Sequence, residues 1–386
     1  MLIARGPFVN FINIKNAETM RKIPYVLAFL LLTRVSLAFA DPEVLPIGSV
    51  APDFSLPATD GKTYSLRDFA RAPVLVVIFT CNHCPTAQAY EERIKQLASD
   101  YGPRGVALVA ISPNDPEAVT LGEMGYTDLG DTFEEMKIRA KDRGFNFPYL
   151  YDGANSRVSM KYGPQATPHV FIFDKERKLR YTGRIDDGEK PGTATKHDTR
   201  NAIDALLAEK PVPVERTKTF GCSIKWPDKR DYANRERAKY ASEPVTLEEI
   251  DLNALKELIQ NDGINYKLVN VWATWCGPCV VEFPEFVDMH RMYRNREFEM
   301  ISISFDDLGR KENALNFLKK KTASMKNYII SGNRYAFIES IDKNWEGALP
   351  YTLFIAPGGK VLYSKQGIID PLEMKRLIAD SIGRIY

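Results

Sequence analysis

The pattern of hydrophobic and polar residues repeats one plan twice along the chain. An uninterrupted apolar run at 74–79 and a largely apolar run at 267–272, which contains Lys267 and Asn270, predict strands. Behind each run, apolar residues recur at steps of three or four, across 90–101 in the first half and 283–289 in the second. This spacing predicts an amphipathic helix in each half. A further apolar run follows each helix, so the shared order is strand, helix, strand.

Each half then continues with a proline and a predicted hairpin. Thr167-Pro168 precedes an apolar strand, a turn and another strand, and Leu349-Pro350 precedes the same order in the second half. Because chance rarely supplies such an order twice, we interpret the halves as an internal repeat.

The length of the chain supports two domains. Its 386 residues are about 2.6 times a ~150-residue domain. We predict an α/β fold with the first domain at 41–228 and the second at 244–386. Residues 229–243, which are rich in charge and poor in periodic apolar positions, are interpreted as the linker.

Residues 1–40 are interpreted as an extension that ends in an export signal. Arg21 and Lys22 precede the apolar run 23–32, and small residues at 38 and 40 are typical of a signal-peptide cleavage site. The apolar run is much shorter than the ~20 residues that span a bilayer, so no stable membrane span is expected after cleavage. We predict export to the periplasm or cell envelope. Met20 is an alternative first residue.

The charge balance and the number of cysteines argue against two classes of protein, nucleic-acid binders and disulfide-stapled scaffolds. The chain has 52 basic and 50 acidic residues, an excess too small to favour a nucleic-acid partner bound through its phosphates. Its five cysteines cannot all pair, which argues against a disulfide-stapled scaffold. Outside the cytosol, unpaired thiols persist only where something reduces or uses them.

Four cysteines form two CxxC motifs between a predicted strand and helix: Cys81/Cys84 and Cys276/Cys279. This position is expected to put the first sulfur at the helix N-terminus, where unbonded N–H groups and the helix dipole stabilise a thiolate. A second sulfur one turn later suits attack, mixed-disulfide formation and resolution. Structural zinc would need further ligands in a compact array, and c-type haem needs a histidine where Pro85 and Val280 stand. We therefore predict redox exchange without a metal or another cofactor.

The second motif resembles the thioredoxin superfamily over roughly residues 244–386. Trp-Cys-Gly-Pro-Cys at 275–279 and the downstream Pro350 carry this resemblance. Glu282, after the second cysteine, and Asn270, before the first, are similar to the TlpA/ResA-type cell-envelope branch. The resemblance implies a thioredoxin-like α/β/α sandwich with a central mixed sheet in each half of the repeat.

The resemblance also implies roles for individual residues of the second domain. Cys276 would be the attacking thiol and Cys279 the resolving one, with a redox disulfide between them. Glu282 would shuttle protons or tune the pair, although a solvated helix position is an alternative for this residue. Leu349-Pro350, with a cis peptide bond, would dock the substrate strand.

The first domain is similar to redoxin domains of the AhpC/TSA, peroxiredoxin-like kind. Residues 47–54 and 66–69 resemble the first strands of that group. Peroxiredoxins carry a P-x-x-x-T/S-x-x-C pocket; if Cys84 is its cysteine, Val77 replaces the proline and Cys81 replaces the threonine. A second thiol then stands where a hydroxyl binds peroxide, which favours dithiol exchange over peroxide reduction.

The repeat assigns matching roles to the first domain. Cys81 and Cys84 would form its redox disulfide, and Thr167 with Pro168 would position the substrate. His83 directly precedes the second cysteine and can stabilise a neighbouring thiolate, although an exposed loop histidine is the alternative.

Two further side chains have open interpretations. Cys222 lies in a segment, 220–226, that resembles the C-terminal tail of some redoxin-like proteins. It either relays electrons or cross-links, or it is a buried and unreactive thiol. His169 is a weaker candidate, as a soft-metal ligand together with Cys81 and Cys84.

We therefore predict an exported thiol–disulfide oxidoreductase that acts on protein disulfide or dithiol clients and receives electrons from an unidentified thiol donor. One alternative is a thiol peroxidase in which the second domain regenerates the first. Another treats the first domain as a non-enzymatic metal-binding or docking module.

The residues between the cysteines predict a direction of electron flow. The second motif has Gly-Pro between its cysteines, as reducing thioredoxins do. The first has Asn-His, with the histidine at the position where disulfide isomerases carry one. Potentials of ~−270 mV and ~−180 mV for those two classes differ by about 90 mV, or roughly 4 kcal/mol. The sequence thus predicts an intramolecular relay from the second dithiol to the first disulfide.

Overall fold

The structure, a computed structural model, describes residues 42–385 (for Ala154, the backbone alone). The predicted extension and export signal at 1–40 lie outside these residues. Within the described part of the chain, no helix has both the length and the apolar content that crossing a membrane requires.

Two sheets of similar plan organise the described residues. The strands are β1 (Ser55–Pro57), β2 (Thr63–Ser65), β3 (Leu75–Phe79), β4 (Ala107–Ser112), β5 (Tyr149–Tyr151), β6 (His169–Phe173), β7 (Leu179–Gly183), β8 (Glu248–Ile250), β9 (Tyr266–Trp272), β10 (Phe298–Ser304), β11 (Lys326–Ile330), β12 (Tyr351–Ile355) and β13 (Val361–Gln366). The helices are α1 (Pro85–Tyr101), α2 (Phe133–Asp142), α3 (Arg157–Tyr162), α4 (Asp198–Leu207), α5 (Arg230–Ala241), α6 (Leu252–Gln260), α7 (Gly277–Tyr293), α8 (Lys311–Lys320), α9 (Arg334–Ile341) and α10 (Pro371–Ile382).

The first domain contains a five-stranded sheet in the order β5-β4-β3-β6-β7. Strands β3, β4 and β5 are parallel, whereas β6 runs antiparallel to both β3 and β7. Because successive side chains of a strand point to opposite faces, β3 buries Val76 and Ile78 on the face that α1 covers. Its other residues, Leu75, Val77 and Phe79, pack on the face that α3 covers.

The second domain repeats this plan and adds a strand, in the order β13-β12-β9-β10-β11-β8. Strand β9 is parallel to β10 and antiparallel to β12. Its Leu268 and Trp272 pack with α7, α8 and α10, and its Val269 and Val271 pack with α6 and α9. Helices thus cover both faces of a mixed sheet in each domain, so the predicted α/β/α sandwich class is confirmed.

The predicted linker, 229–243, is helical for most of its length. Helix α5 buries only Ala233 and Tyr240, which explains the weak apolar periodicity of the segment. Arg230 forms an ion pair with Asp115 of the first domain, so the helix is held against that domain. The predicted linker is therefore a packed helix for most of its length.

The two domains are in direct contact. Leu121 and Met124, from a short 3-10 helix of the first domain, pack against the core cluster that contains α7. At the last residue of α7, the Tyr293 hydroxyl donates a hydrogen bond of 2.7 Å to the Thr127 carbonyl. The first domain thus contacts the C-terminal end of α7.

A buried carboxylate lies in the same interface. Asp128 of the first domain contacts the guanidinium groups of Arg376 and Arg384 in the second domain and of Arg139 in its own. Burial alone raises the pKa of a carboxyl group, but Arg384 and Arg139 outweigh it and hold the pKa of Asp128 below its ordinary value. The interface is therefore partly ionic, with the charge of Asp128 compensated from both domains.

Candidate active sites

In the second domain, the helix begins between the two cysteines. Helix α7 starts at Gly277, so Cys276 is its N-cap, and its Sγ accepts the N–H of Cys279 at 3.3 Å. The two sulfurs form a disulfide. Cys276 is 6% exposed and Cys279 1%, and the neighbouring Trp275 is 56% exposed. The first cysteine is thus at the helix start and is the more accessible of the pair.

In the first domain, the helix begins after both cysteines. Helix α1 starts at Pro85, so Cys84 is the N-cap, and its Sγ accepts the N–H of Ala87 at 3.4 Å. Cys81 lies outside the helix, and neither sulfur is in a disulfide. The expectation that the first cysteine of each motif lies at the helix start is therefore wrong for this domain.

The position of proline explains the difference. Proline is favoured in the first helical turn, where its missing N–H is not needed. Pro278 lies between the cysteines of the second motif, whereas Pro85 follows both cysteines of the first. In addition, the Asn82 side chain donates to the Gly130 carbonyl at 2.7 Å, which holds the first motif in a loop. The sequence contained this signal in the order of its residues.

His83 is buried, 2% exposed, so the interpretation as an exposed loop histidine is wrong. Its Nδ1 lies 2.6 Å from Oδ2 of Asp131. The same carboxylate accepts the backbone N–H groups of Asn82 and His83 and the side-chain amide of Asn114. Burial disfavours the imidazolium, but the Asp131 carboxylate outweighs this effect and raises the pKa of His83. A positive charge is thus stabilised directly beside Cys84.

The two thiols of the first motif are pushed in opposite directions. Burial raises the pKa of Cys84, but hydrogen bonds with the Cys222 and Cys81 thiols, together with the charge of His83, outweigh it. The net effect is a pKa of Cys84 well below that of an ordinary thiol. Burial raises the pKa of Cys81, and its hydrogen bond with Cys84 raises it further. Cys84 is therefore the cysteine of the pair that loses its proton more readily, and Cys81 the one that keeps it.

Thr167 lies beside both sulfurs of the first motif. Its Oγ1 is 3.2 Å from Cys81 Sγ, and its carbonyl oxygen is 3.5 Å from Cys84 Sγ. The bond to Pro168 is cis. The backbone N–H of Thr167 donates to the carbonyl of Cys222 at 3.0 Å, and the two residues form an antiparallel bridge. The structure thus brings the predicted substrate-positioning residue together with three thiols.

His169 does not fit the soft-metal interpretation. Its Nδ1 accepts the backbone N–H of Gln165 at 3.0 Å, and its Nε2 lies 3.0 Å from the Thr182 hydroxyl. Both ring nitrogens are therefore occupied. Burial lowers the pKa of His169 to about 3, so the ring is neutral and serves the core of the domain.

A different group approaches the geometry of a metal site. One ligand atom from each of Cys81, His83 and Asp131 lies within 4.8 Å of the others. The Asp131 carboxylate, however, already accepts four hydrogen bonds from protein groups. A metal ion would have to break these bonds, so the cluster is better suited to holding a charged histidine.

Glu282 lies one turn after Cys279 and is buried, so the interpretation as a solvated helix residue is wrong. Its carboxylate accepts the Asn270 side-chain amide at 3.2 Å and the Ile369 backbone N–H at 3.1 Å. Burial outweighs these hydrogen bonds and raises the pKa of Glu282. A carboxyl group of this kind can exchange protons nearer to neutral pH than an exposed one.

Leu349 and Pro350 also lie at the second site. Leu349 packs against the apolar cluster that contains Cys276 and Cys279, and the bond to Pro350 is cis. Within residues 42–385, no backbone bridge to Leu349 is found, whereas its counterpart Thr167 is bridged to the chain itself. Among the described residues, the backbone at Thr167 is therefore paired with another segment of the chain, whereas the backbone at Leu349 is not bridged in this way.

Sequence reasoning missed Asp131 and Asn114. Asn114 follows β4 at the carboxyl end of the sheet, an edge where functional side chains of α/β proteins gather. Asp131 directly precedes the N-cap of α2, and no motif links it to His83. Asn114 could have been suspected from the strand order, but Asp131 could be identified only in the folded chain.

Comparison with known proteins agrees with this geometry. The AhpC/TSA family model matches residues 47–182, and the Redoxin model matches residues 254–377. The chain carries two tandem thioredoxin-fold redoxin domains. The AhpC/TSA domain contains the first CxxC motif, and the Redoxin domain contains the second.

Curated relatives are similar over part of the chain. The thiol-disulfide oxidoreductase ResA of Oceanobacillus iheyensis is 27% identical over 146 residues, which cover 36% of this chain and 65% of the relative. A thiol:disulfide interchange protein DsbE homolog of Paracoccus denitrificans is 28% identical, over 38% of this chain and 73% of the relative. A hypothetical protein of Sinorhizobium meliloti 1021 with a crystal structure is 36% identical, over 48% of this chain and 97% of that one, with a TM-score of 0.42.

Proposed function

We propose that this protein is an exported thiol–disulfide oxidoreductase with one redox-active dithiol in each tandem domain. The observation that carries the proposal is a cysteine sulfur at the N-cap of a helix in both domains, each with a second sulfur nearby. The names of the ResA and DsbE-type relatives support it. Its clients are proteins that contain disulfides or reactive dithiols, and an upstream thiol donor supplies the electrons.

In the Redoxin domain, Cys276 attacks a client disulfide and forms a mixed disulfide. Cys279 then attacks the Cys276 sulfur, which releases the client thiol and leaves the Cys276–Cys279 disulfide. Glu282 exchanges the proton that Cys279 loses, since its carboxyl group is buried one turn along the same helix. Leu349 and Pro350 form the edge on which the client lies.

In the AhpC/TSA domain, the thiolate role passes to Cys84. The imidazolium of His83 and the N-terminus of α1 stabilise its charge. Cys81 remains a thiol of raised pKa that can close a Cys81–Cys84 disulfide after Cys84 has reacted. The order of roles is then the reverse of that in the Redoxin domain.

Turnover of a disulfide-linked peptide, with dithiothreitol as donor, tests this assignment on the full chain. The double variants Cys81→Ser/Cys84→Ser and Cys276→Ser/Cys279→Ser should each retain part of the activity. The quadruple variant should have none beyond the uncatalysed rate. Full activity in the quadruple variant would contradict the proposal.

Peroxide reduction by the AhpC/TSA domain is a second candidate function. It is favoured by the position of Cys84, since this cysteine aligns with the peroxide-attacking cysteine and is the low-pKa thiolate. Peroxide consumption by the Cys276→Ser/Cys279→Ser chain, with dithiothreitol as donor, separates the two functions. Consumption that depends on Cys84 would support a peroxidase.

The relay between domains meets a geometric constraint. Contact with the AhpC/TSA domain lies at Tyr293, about 26 Å along α7 from Cys276 at 1.5 Å per residue. Direct transfer within one chain therefore requires the interface to open, whereas transfer between two chains does not. Mixing the Cys81→Ser/Cys84→Ser chain with the Cys276→Ser/Cys279→Ser chain distinguishes these routes. If the Cys276–Cys279 dithiol of one chain reduces the Cys81–Cys84 disulfide of the other chain in the mixture, transfer between chains is supported.

Export is the remaining part of the proposal. It rests on the charged, apolar and small-residue pattern at 21–40. Mass analysis of the N-terminus of the cellular protein should find a chain that begins after Ala40. A chain that retains Met1 or Met20 would contradict cleavage.

A further inference from the structure

Cys222 has no role in the two-dithiol scheme, yet it lies at the centre of the AhpC/TSA site. It packs against the cluster of Cys81, Cys84 and Ala87. Its thiol is hydrogen-bonded to the Cys84 sulfur, and this contact lowers the pKa of Cys84. The site therefore holds three reduced thiols in contact.

The backbone on the N-terminal side of Cys222 is held tightly against Thr167. The carbonyl of Cys222 accepts the Thr167 N–H at 3.0 Å. Gly221 has a φ of 137°, and a Cβ at this position would lie 2.1 Å from the Thr167 carbonyl oxygen. Only glycine allows this close approach, which brings the next residue, Cys222, to the sulfurs beside Thr167.

The segment is anchored on the other side of Cys222 as well. The Lys225 N–H donates to the Asn114 side chain at 2.9 Å, and the Lys225 carbonyl accepts the Asp115 N–H at 2.8 Å. Ile224 and Trp226 are buried. Cys222 is thus held in place from both sides.

Access from solvent differs among the three thiols. Cys84 is 0% exposed and Cys81 is 3% exposed. Cys222 is only partly buried. Cys222 is thus the most exposed of the three cysteines.

We propose that the AhpC/TSA domain exchanges electrons with its client through Cys222, and that Cys84 resolves the mixed disulfide by bonding to Cys222. This proposal rests on the proposed thiol–disulfide exchange function. Within that function, Cys222 takes the client-contact role given above to Cys84, and Cys222 takes the place of Cys81 as the disulfide partner of Cys84. Cys222 would thus be a catalytic residue, and the oxidised product would be a Cys84–Cys222 disulfide.

The reaction balances with the client disulfide as oxidant. Cys222 passes its proton to the Cys84 thiolate, attacks one client sulfur, and expels the other, which takes the proton back from Cys84. The Cys84 thiolate then attacks the Cys222 sulfur and expels the remaining client sulfur, which takes a proton from solvent. The client disulfide gains two electrons and two protons, and Cys84 with Cys222 is oxidised.

The test uses the full chain with Cys276→Ser and Cys279→Ser, reduced and treated with one equivalent of the aromatic disulfide DTNB. The parent should release about two thionitrobenzoate ions per DTNB and should contain a Cys84–Cys222 disulfide on mass mapping. Adding Cys84→Ser should halve the release and leave the adduct on Cys222. Adding Cys81→Ser should change neither the release nor the mapped disulfide.

A matched control moves the contact thiol by one residue. Cys222→Ser/Ser223→Cys keeps the thiol count but turns it away from Cys84, so it should release about one ion and retain the adduct, since the second step needs a sulfur in contact. Near-ultraviolet circular dichroism checks folding. Because the Cys84→Ser arm keeps Cys222 intact, the test does not depend on the folding of Cys222 variants.

Two outcomes would overturn the proposal in different ways. A Cys81–Cys84 disulfide that forms equally fast in a Cys222→Ser chain would remove Cys222 from the reaction but leave the proposed dithiol function standing. Release of one ion with no internal disulfide in the parent would overturn both the role of Cys222 and dithiol exchange in this domain.

Discussion

In the Redoxin domain the helix begins between the two cysteines, whereas in the AhpC/TSA domain it begins after both. The N-cap sulfur is consequently Cys276 in one and Cys84 in the other. Both motifs follow the central strand of the same kind of sheet. The comparison teaches that the spacing of a CxxC motif does not decide which sulfur lies at the helix N-terminus; the residue that starts the helix does.

The surroundings of the two sites differ as well. Next to Cys84 lies His83, whose pKa is raised by the buried carboxylate of Asp131. The titratable group along the helix from Cys279 is instead Glu282, whose pKa is raised by burial. The AhpC/TSA site therefore favours a cysteine that is deprotonated before it reacts. The Redoxin site offers a carboxylate that can accept the proton of Cys279.

The largest expected effect comes from removing the Cys84 sulfur of the AhpC/TSA domain. In the Cys276→Ser/Cys279→Ser chain, adding Cys84→Ser should lower peptide-disulfide exchange by at least about 1,000-fold, because loss of a covalent nucleophile costs this much or more in other enzymes. Adding Cys81→Ser should cost about tenfold or less, because a thiol of raised pKa is a poor nucleophile. Stopped-flow rates would measure both, and a larger loss for Cys81→Ser would invert the comparison.

A second prediction concerns the link between the AhpC/TSA site and the interface. Asp128→Asn removes the carboxylate that Arg139, Arg376 and Arg384 share, although each keeps another acidic partner, and should lower the free energy of unfolding by about 1–3 kcal/mol in urea titrations. Asp380→Asn, which removes an exposed partner of Arg384, should change it by less than about 1 kcal/mol.

The pH dependence of that stability has a defined sign. The pKa of Asp128 is lower in the folded chain, so its contribution is present above the unfolded pKa of about 3.9 and is lost as pH falls below it. The wild type should therefore lose more stability between about pH 5 and pH 2 than Asp128→Asn does. Equal losses would show that the interface carboxylate is not compensated as described.

A smaller effect is expected from His83→Gln. Loss of the imidazolium should raise the pKa of Cys84, measured by the ultraviolet absorbance of the thiolate in the Cys276→Ser/Cys279→Ser chain. The exchange rate at about pH 6 should then fall roughly tenfold or more, and the difference should vanish above the raised pKa. The exposed His197→Gln is the control and should change nothing. An unchanged titration in His83→Gln would show that the helix N-terminus alone stabilises the thiolate.

The smallest effect is expected from Glu282→Gln. The amide can keep a hydrogen bond with the Ile369 N–H but cannot exchange a proton, so the rate of the Redoxin dithiol should fall by about tenfold or less. The loss should be confined to pH values above the raised pKa of Glu282, where the carboxylate accepts a proton. Rates at the AhpC/TSA dithiol in the same chain serve as the internal control.

Much of the fold was predictable from the sequence. The buried strands β3 and β9 and the helices after them follow directly from apolar runs and helical spacing. The linker was harder, because a helix that buries only Ala233 and Tyr240 has almost no apolar period. Its ion pair with Asp115 depends on a residue more than a hundred positions away.

The candidate sites were predictable in part for the same reason. All four CxxC cysteines and Glu282 could be proposed as site residues from the sequence, since their spacing is local. The pairing of His83 with Asp131 and the approach of Cys222 to Cys84 depend on contacts between distant loops, which no local pattern encodes. The shift of the helix start to Pro85 was encoded locally and could have been deduced from the order of the residues.

The central claim is that Cys84, and not Cys81, is the thiolate of the AhpC/TSA domain. A pH titration of cysteine Cβ chemical shifts by NMR, on the reduced Cys276→Ser/Cys279→Ser chain, measures each thiol separately. The account predicts that Cys84 loses its proton at a pH well below that of an ordinary thiol and that Cys81 keeps its proton to a pH above it. Deprotonation of Cys81 before Cys84 would contradict the account.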